Sequence, residues 1–158
     1  MLSVGDSIPD VTLTNAAGEP VRLRELAAGR TLVVYFYPKD ETTGCTIQAC
    51  TFRDRQDDFR DAGATIVGIS ADPPSSHRAF ADRHRLPFPL LSDESGDARR
   101  AFGIEPLFGL LAGRVTFVAD GEGMIRDVYS SRLRFRAHVD RALAQVQSLA
   151  DTPRRAKA

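Results

Sequence analysis

The stretch Thr31–Asp54 reads TLVVYFYPKDETTGCTIQACTFRD, and it predicts a buried strand that passes through a short loop into a helix. Its first seven residues, Thr31–Tyr37, form a continuous apolar, β-rich run of the kind found in strands covered on both faces of a sheet. A second such run, ATIVGIS, occupies Ala64–Ser70. The sequence therefore predicts two central strands on either side of a helix.

The helix between these strands is predicted from a repeated apolar position. Cys45, Phe52 and Phe59 recur at seven-residue steps, so they share one face of a helix running from Cys45 to Asp61. The other predicted elements are an N-terminal hairpin of Val11–Thr14 and Val21–Leu23, a helix from Ser75 or Ser76 to Arg85, a short or edge strand at Phe88–Ser92, a short helix at Gly96–Phe102, a hairpin of Arg114–Ala119 and Ile125–Ser130, and a final helix carrying Val139, Leu143, Val146 and Ala150. The pattern indicates an α/β fold with a central mixed sheet flanked by helices and an N-terminal β-hairpin extension.

Length and charge restrict the function. The 158 residues are enough for one domain, predicted over residues 1–151, with a short basic tail at 152–158. Lys plus Arg and Asp plus Glu both total 21, so no net charge favours nucleic acid or a membrane as a partner. Since the N-terminus does not read as a signal peptide, a cytoplasmic protein is expected. Nearby cysteines in that compartment are more often catalytic or redox-active than structural.

The two cysteines, Cys45 and Cys50, are the candidate reactive groups. Cys45 falls in the first turn of the predicted helix, where free backbone N–H groups and the helix dipole favour thiolate over thiol. Cys50 lacks that advantage. A reactive Cys45 should also be exposed to small oxidants, whereas the alternative is that both cysteines are small core residues. A zinc site is not expected, because C-x4-C has no second pair and the three histidines are scattered.

The segment FYPKDETTGCTIQACTFRD resembles the active-site segment of the Q-type, or bacterioferritin-comigratory, peroxiredoxins. Pro38, Thr42 and Cys45 match the Pro-x-x-x-Thr-x-x-Cys pattern, and a second cysteine five residues later, Cys50, marks this subfamily. The segments SHRAFADRHRLPFPLLSDESGDARRAFGI and GRVTFVADGEGMIRDVYSS are also similar to family segments, and Arg114 stands at the position of the active-site arginine. The resemblance implies a thioredoxin-like fold and thiol-dependent reduction of hydrogen peroxide and organic hydroperoxides, without metal or organic cofactor.

The resemblance also implies a role for each matched residue. Cys45 attacks the peroxide and becomes a sulfenic acid. Thr42 hydrogen-bonds the bound peroxide, Arg114 stabilises the thiolate and the leaving oxygen, and Pro38 shields the sulfur from bulk water. Taken singly, Pro38 could merely end the strand, Thr42 cap the helix and Arg114 form a surface ion pair.

Two positions depart from the family pattern. Thr43 stands where proline is usual, which puts the stiffness of the loop in doubt, and Gln48 stands where glutamate is common, so that it adds no charge beside Arg114.

The second cysteine cannot reach the first while the helix is intact. Five residues advance about 7.5 Å along a helix and leave the two side chains about 140° apart, so a disulfide requires unwinding. By resemblance, Cys50 resolves the Cys45 sulfenic acid as an internal disulfide, and thioredoxin or a similar dithiol reduces it.

Two other functions stay open at this point. One is a thioredoxin-type protein disulfide oxidoreductase, although C-x-x-C is usual there, and the other is a redox-inert or sensor module that merely keeps the fold. The apolar run Leu107–Leu111 is expected to be core, with a collar for apolar hydroperoxides or a dimer patch as alternatives. A monomer is expected, with a weak homodimer as the alternative.

Overall fold

A computed structural model describes residues 1–104 and 113–151 of the chain, and these contain seven strands and six helices. Leu107–Leu111 and the tail 152–158 lie outside the described residues. The elements are β1 Thr12–Thr14, β2 Pro20–Arg22, α1 Leu23–Ala27, β3 Thr31–Phe36, α2 Thr43–Asp54, α3 Gln56–Asp61, β4 Ala64–Ser70, α4 Pro74–His84, β5 Leu90–Ser92, α5 Asp97–Ala101, β6 Val115–Ala119, β7 Ile125–Ser130 and α6 Phe135–Asp151. None of these helices has both the length and the apolar character needed to cross a bilayer.

The strands form one mixed sheet in the order β2-β1-β5-β4-β3-β6-β7. β3 pairs in parallel with β4 and antiparallel with β6, and β4 pairs in parallel with β5. The hairpin of β1 and β2 joins this sheet through the pairing of Thr14 with Ser92, and β6 and β7 close the opposite edge. The predicted mixed sheet with its N-terminal hairpin extension is confirmed.

Strand β3 is buried on both faces, as its apolar run predicts. Leu32, Val34 and Phe36 belong to one core cluster, which also contains residues of α1 and α5. Val33 and Tyr35 point into a second cluster, which contains residues of α2, α3, α4 and α6. Helices therefore cover both faces of the sheet, and the segment that leaves β3 enters the second cluster.

The prediction of one long helix from Cys45 to Asp61 is wrong in one respect. The segment forms two helices, α2 and α3, which are separated at Arg55. Arg55 has φ −106° and ψ 8°, outside the values of a regular helix. No proline or glycine marks this break. Phe52 and Phe59 are nevertheless both fully buried in the same cluster, so the seven-residue face persists across the break.

The helix predicted to begin at Ser75 or Ser76 begins earlier. α4 starts at Pro74, whose fixed φ suits the first helical position, and no serine side chain caps it. It ends at His84 rather than Arg85, because Arg85 is left-handed with φ 53°.

Two further elements differ from the sequence prediction. Leu23, predicted in the hairpin, instead begins α1, a five-residue helix too short to give a periodic signal. β5 is short, as Pro89 indicates, yet it lies inside the sheet between β1 and β4. Pro89 precedes the strand, and its carbonyl accepts a hydrogen bond from the Gly68 N–H of β4 at 3.1 Å. In α6, Val139, Leu143 and Val146 are buried, whereas Ala150 is exposed.

Candidate active site

Cys45 lies in the first turn of α2, directly beyond the end of the central strand β3. α2 begins at Thr43, so a threonine takes the first helical position that proline would suit. The predicted location of Cys45 at the helix start is confirmed. Its predicted exposure is wrong, because only 1% of the residue is accessible and it belongs to the second core cluster.

Arg114 lies against Cys45. It immediately precedes β6, whose first residue, Val115, pairs with the last residue of β3, Phe36. The Arg114 Nη1 atom donates to Cys45 Sγ at 3.3 Å and to Gln48 Oε1 at 2.8 Å. Because Arg114 is buried with these contacts, the alternative of a surface ion pair is wrong.

The guanidinium of Arg114 is held from other directions by the segment that leads into α6. Its Nε donates to the Arg132 carbonyl at 3.4 Å, and its Cζ lies 4.7 Å from the centre of the Phe135 ring, a cation–π contact. Phe135 also lies over Gly44, since a Cβ built on Gly44 would be 2.5 Å from two ring carbons and 3.0 Å from Arg114 Nη2. Only glycine fits here without displacing one of these side chains.

Gln48 completes the buried polar group around the sulfur. It is fully buried, and its Oε1 atom accepts from Arg114 while its Nε2 atom has no hydrogen-bond partner among the described residues. A neutral amide thus holds the arginine without neutralising it, so the guanidinium charge stays available to the Cys45 sulfur.

Thr42 and Pro38 lie on the loop between β3 and α2. Thr42 is exposed at the N-cap position, but its side chain makes no cap bond; Oγ1 instead donates to the Lys39 carbonyl at 2.9 Å. The helix-cap alternative is therefore wrong, and the lone pairs of this hydroxyl can still accept from a ligand. Pro38 is half-buried two residues beyond the end of β3. Their roles toward peroxide stay predictions.

Cys50 lies on the same intact helix as Cys45, and both thiols are free. Cys50 is half-buried and borders an open surface groove together with Ile47 and Arg136. The described state is thus the reduced, folded one, in which the helix holds the two sulfurs apart as their spacing predicts.

His138 fastens the segment that holds Arg114. Its Nε2 donates to the Ser131 carbonyl at 2.8 Å, and its Nδ1 accepts from the Thr116 hydroxyl at 2.8 Å. Burial, together with the nearby charge of Arg114, lowers the pKa of His138 to about 4 despite the bond to Ser131. The imidazole is therefore neutral at neutral pH and adds no positive charge beside the guanidinium.

Sequence reasoning missed Phe135, His138, and a group formed by Asp40, Asp72 and His77. The ligand atoms of that group lie within 4.8 Å of one another, so it could hold a metal ion by distance alone. Its atoms are instead engaged in short hydrogen bonds with one another and with neighbouring hydroxyl and backbone groups. In the sequence, Asp40 and Asp72 each follow a predicted strand, and His77 lies in a predicted helix. That signal could not pair residues so far apart in the chain.

Comparison with known proteins identifies the kind of site. A model of the AhpC/TSA family matches residues 4–128. Chloroplast peroxiredoxin Q of Populus jackii is 47% identical over 146 residues, which cover 92% of this chain and 68% of that protein; for Sedum lineare the identity is also 47%, with 92% and 78% covered. Peroxidoxin BcpB of Mycobacterium tuberculosis superposes with a TM-score of 0.88 at 39% identity, covering 94% of this chain and 99% of that one. The bacterioferritin comigratory protein of Xanthomonas campestris superposes with a TM-score of 0.84 at 33% identity, covering 94% of this chain and 100% of that one.

The sheet, the cysteine at its helix start and these relatives define the class as thiol-dependent peroxidases with a thioredoxin-like fold, as the sequence predicted. The chain belongs to the AhpC/TSA family and, within it, to the peroxiredoxin Q group.

Gly44→Ala tests the packing of Phe135 and Arg114 on the first turn of α2. The added methyl group must displace the ring or the guanidinium, so we expect the rate of Cys45 oxidation by peroxide to fall about tenfold or more. The better helix propensity of alanine, about 1 kcal/mol over glycine, offsets only part of the cost of this displacement, so the variant should still fold with a modest loss of stability. The matched control is Gly113→Ala, where the nearest side chain among the described residues, Arg132, has its Cγ 3.8 Å from the new Cβ. A Gly44→Ala protein that reacts at the wild-type rate would contradict this packing.

His138→Gln tests the neutral histidine. The pKa of His138 is about 4 in the folded chain and about 6.5 in an unfolded one, so the unfolded state takes up the proton first as pH falls. As the pH falls from about 6.5 towards 4, the free energy of unfolding of the wild type should therefore decrease more than that of the variant. The extra decrease should reach on the order of 1 to 2 kcal/mol by about pH 5. Urea unfolding of both proteins across this range measures the difference, and parallel curves would be the contrary result.

Proposed function

We propose that Cys45 is the peroxide-attacking cysteine of this thiol-dependent peroxidase. The observation that carries the assignment is the 3.3 Å contact between Arg114 Nη1 and Cys45 Sγ inside the protein. A guanidinium is always charged and is less costly to desolvate than an ammonium, so it favours the thiolate form of the sulfur it contacts. Cys50 is half-buried five residues later on the same helix and has no such contact among the described residues.

In the first step, the Cys45 thiolate attacks the terminal oxygen of a hydroperoxide. The O–O bond breaks, the sulfur gains the hydroxyl oxygen as a sulfenic acid, and the other oxygen leaves as water or an alcohol after taking up a proton. Arg114 faces the reacting atoms and stabilises the charge that develops on the leaving oxygen. Thr42 is proposed to hydrogen-bond the bound peroxide. Pro38, on the same loop, is proposed to limit the access of water to the sulfur.

The burial of Cys45 bears on the substrate. With 1% of the residue accessible, only the narrow hydroperoxide end of a substrate can approach the sulfur. The Xanthomonas campestris relative is described by its alkyl peroxide reduction activity. We therefore assign both hydrogen peroxide and organic hydroperoxides as substrates. The organic group of a hydroperoxide would stay outside the enclosed space around the Cys45 sulfur.

In the second step, the thiol of Cys50 attacks the Cys45 sulfenic acid, which releases water and forms an internal disulfide. Because α2 holds the two side chains apart, the first turns of the helix must unwind before this bond can form. An external dithiol, with thioredoxin as the expected donor, then returns both thiols by supplying two electrons. In the reduced state Cys50 already borders an open groove, so this side of α2 is accessible to such a partner.

The rival functions are less well supported by the site. A disulfide oxidoreductase of the thioredoxin type exposes one sulfur of a C-x-x-C pair, whereas here the sulfur at the helix start is enclosed and faces an arginine. A redox-inert module would not need a buried cation on its cysteine, since an unneutralised buried charge is costly. The cytoplasmic location and the monomeric state stay predictions.

Cysteine replacement tests the cycle. With thioredoxin as donor, Cys45→Ser should lose peroxide turnover by at least about a thousandfold, because it removes the nucleophile. Cys50→Ser should still consume one equivalent of peroxide but lose the internal disulfide and most thioredoxin-supported turnover. Thr51→Ser is the matched control, since serine can keep the 2.6 Å bond to the Ile47 carbonyl beside Cys50.

The disulfide can be located directly. Trypsin cleaves after Lys39 and Arg53, so both cysteines fall in one peptide, 40–53. An internal disulfide leaves this peptide monomeric and lighter by two hydrogens, while an intermolecular one doubles it. Wild-type protein that gives only the doubled peptide, with no internally bonded one, would refute the cycle.

A further inference from the structure

Asp40 fixes the loop that carries Cys45 to its neighbours. Its carboxylate is buried, accepts hydrogen bonds from Tyr37 Oη at 2.6 Å and Ser76 Oγ at 2.8 Å, and shares a third with His77 Nδ1 at 2.7 Å. Its backbone N–H donates to Asp72 Oδ2 at 2.8 Å. The loop is thus bound to the end of β3, to the segment after β4 and to the first turn of α4.

His77 connects the same carboxylate to the sheet. The residue is fully buried on α4, and its Nε2 atom lies 3.1 Å from the Leu91 carbonyl of β5, which can only accept. Nε2 therefore carries a hydrogen, and a second hydrogen lies between Nδ1 and Asp40 Oδ2. Burial, with the nearby Tyr35 and Asp40, raises the pKa of Tyr37 well above its usual value, so this phenol keeps the hydrogen it donates.

The chain changes character immediately after Asp40. Glu41 is left-handed with φ 64°, a conformation that side chains other than glycine adopt at a cost. Glu41, Thr42 and Thr43 are exposed: the Glu41 carboxylate lies 3.7 Å from Arg83 Nη1 and 3.6 Å from His84 Nε2 at the end of α4, and the Thr42 hydroxyl donates to the Lys39 carbonyl. A tightly bound residue is thus followed at once by a strained, exposed turn that leads into the part of α2 carrying both cysteines.

We propose that the Asp40–His77 pair is a positioning device that keeps the loop upstream of Glu41 docked throughout the redox cycle, so that unwinding is confined to residues 41–50. The inference rests on the proposed function, because it concerns the unwinding that a disulfide between Cys45 and Cys50 requires. The docked loop sets where Cys45 lies relative to Arg114 in the reduced state, and it gives the helix a fixed end from which to refold after reduction.

The consequence is a separation between the two chemical steps. Peroxide attack depends on the position of the Cys45 sulfur beside Arg114, and a displacement of about 1 Å can cost on the order of a hundredfold in rate. Attack by Cys50 occurs in the unwound segment and does not depend on that position. Loss of the pair should therefore slow the first step and leave the second unchanged or faster.

Two substitutions of His77 distinguish the bond to Asp40 from mere filling of space. His77→Gln places its amide near the former Nε2, so it can keep the hydrogen bond to the Leu91 carbonyl but loses the bond to Asp40. His77→Asn places its amide near the former Nδ1, so it can keep the bond to Asp40 but loses the bond to Leu91. We expect peroxide oxidation of Cys45 to slow about tenfold or more in His77→Gln, with substantial rescue in His77→Asn. Asp40→Asn should resemble His77→Gln.

Both rates can be measured on the same protein. The chain has no tryptophan, so each step is followed by rapid quenching, alkylation and mass spectrometry of the tryptic peptide with the two cysteines. Ile125→Val, in the core cluster on the other sheet face, is the control for general destabilisation and should leave the ratio of the two rates unchanged. If the His77 variants fail to fold, Ser76→Ala removes a single donor to Asp40 and should shift the ratio in the same direction by a smaller factor.

The outcomes separate the two ideas. If wild-type protein forms no Cys45–Cys50 disulfide, the proposed function fails. If wild type forms it, and His77→Gln or Ser76→Ala changes both rates equally or leaves both unchanged, the positioning role of the pair is refuted. A selective loss of the first rate, rescued in His77→Asn, supports it.

Discussion

The contact between the Arg114 guanidinium and the Cys45 sulfur is the interaction on which the site depends. It joins two residues 69 positions apart, and the sheet brings them together because β6 lies antiparallel beside β3. Arg114 lies just before β6, next to the end of β3. Its guanidinium therefore lies at the same end of the sheet at which the chain enters α2. β4 pairs in parallel on the other side of β3, so β3 lies inside the sheet. Cys45 and Arg114 are both buried, so their contact lies in a region of low dielectric, where a single cation has a large effect.

The site has to satisfy two opposing requirements. Peroxide attack needs an intact first turn of α2, with Cys45 against the Arg114 guanidinium that Gln48 and Phe135 hold in place. Disulfide formation needs the same turn to open. The packing of Phe135 on Gly44 and Arg114 stabilises the closed form from the α6 side. On the other side, hydrogen bonds hold Asp40, the residue before the exposed turn. The segment that must unwind therefore lies between two segments that are fixed by packing and hydrogen bonds.

The sequence predicts those features that have a local signature. The central strands show continuous apolar runs, the helix face of Phe52 and Phe59 follows a seven-residue step, and Cys45 sits at a strand-to-helix junction. The pairing of Cys45 with Arg114 came only from family resemblance, because no periodicity links distant positions. The break at Arg55, the Asp40–His77 pair and the role of His138 depend on tertiary packing, which leaves no mark in a window of a few residues. The burial of Cys45 was missed for the same reason, since Arg114, whose guanidinium contacts the sulfur, lies 69 positions away in the sequence.

The most direct measurement is the second-order rate of Cys45 oxidation by hydrogen peroxide in a Cys50→Ser background, where only the first step is observed. Replacing Arg114 by methionine keeps much of the side chain's volume and removes its charge and hydrogen bonds, and the account predicts a loss on the order of a hundredfold. Arg114→Lys should recover part of this loss, because it keeps the charge but cannot contact Cys45 Sγ and Gln48 Oε1 with the same geometry. A methionine variant that reacts as fast as its parent would contradict the account.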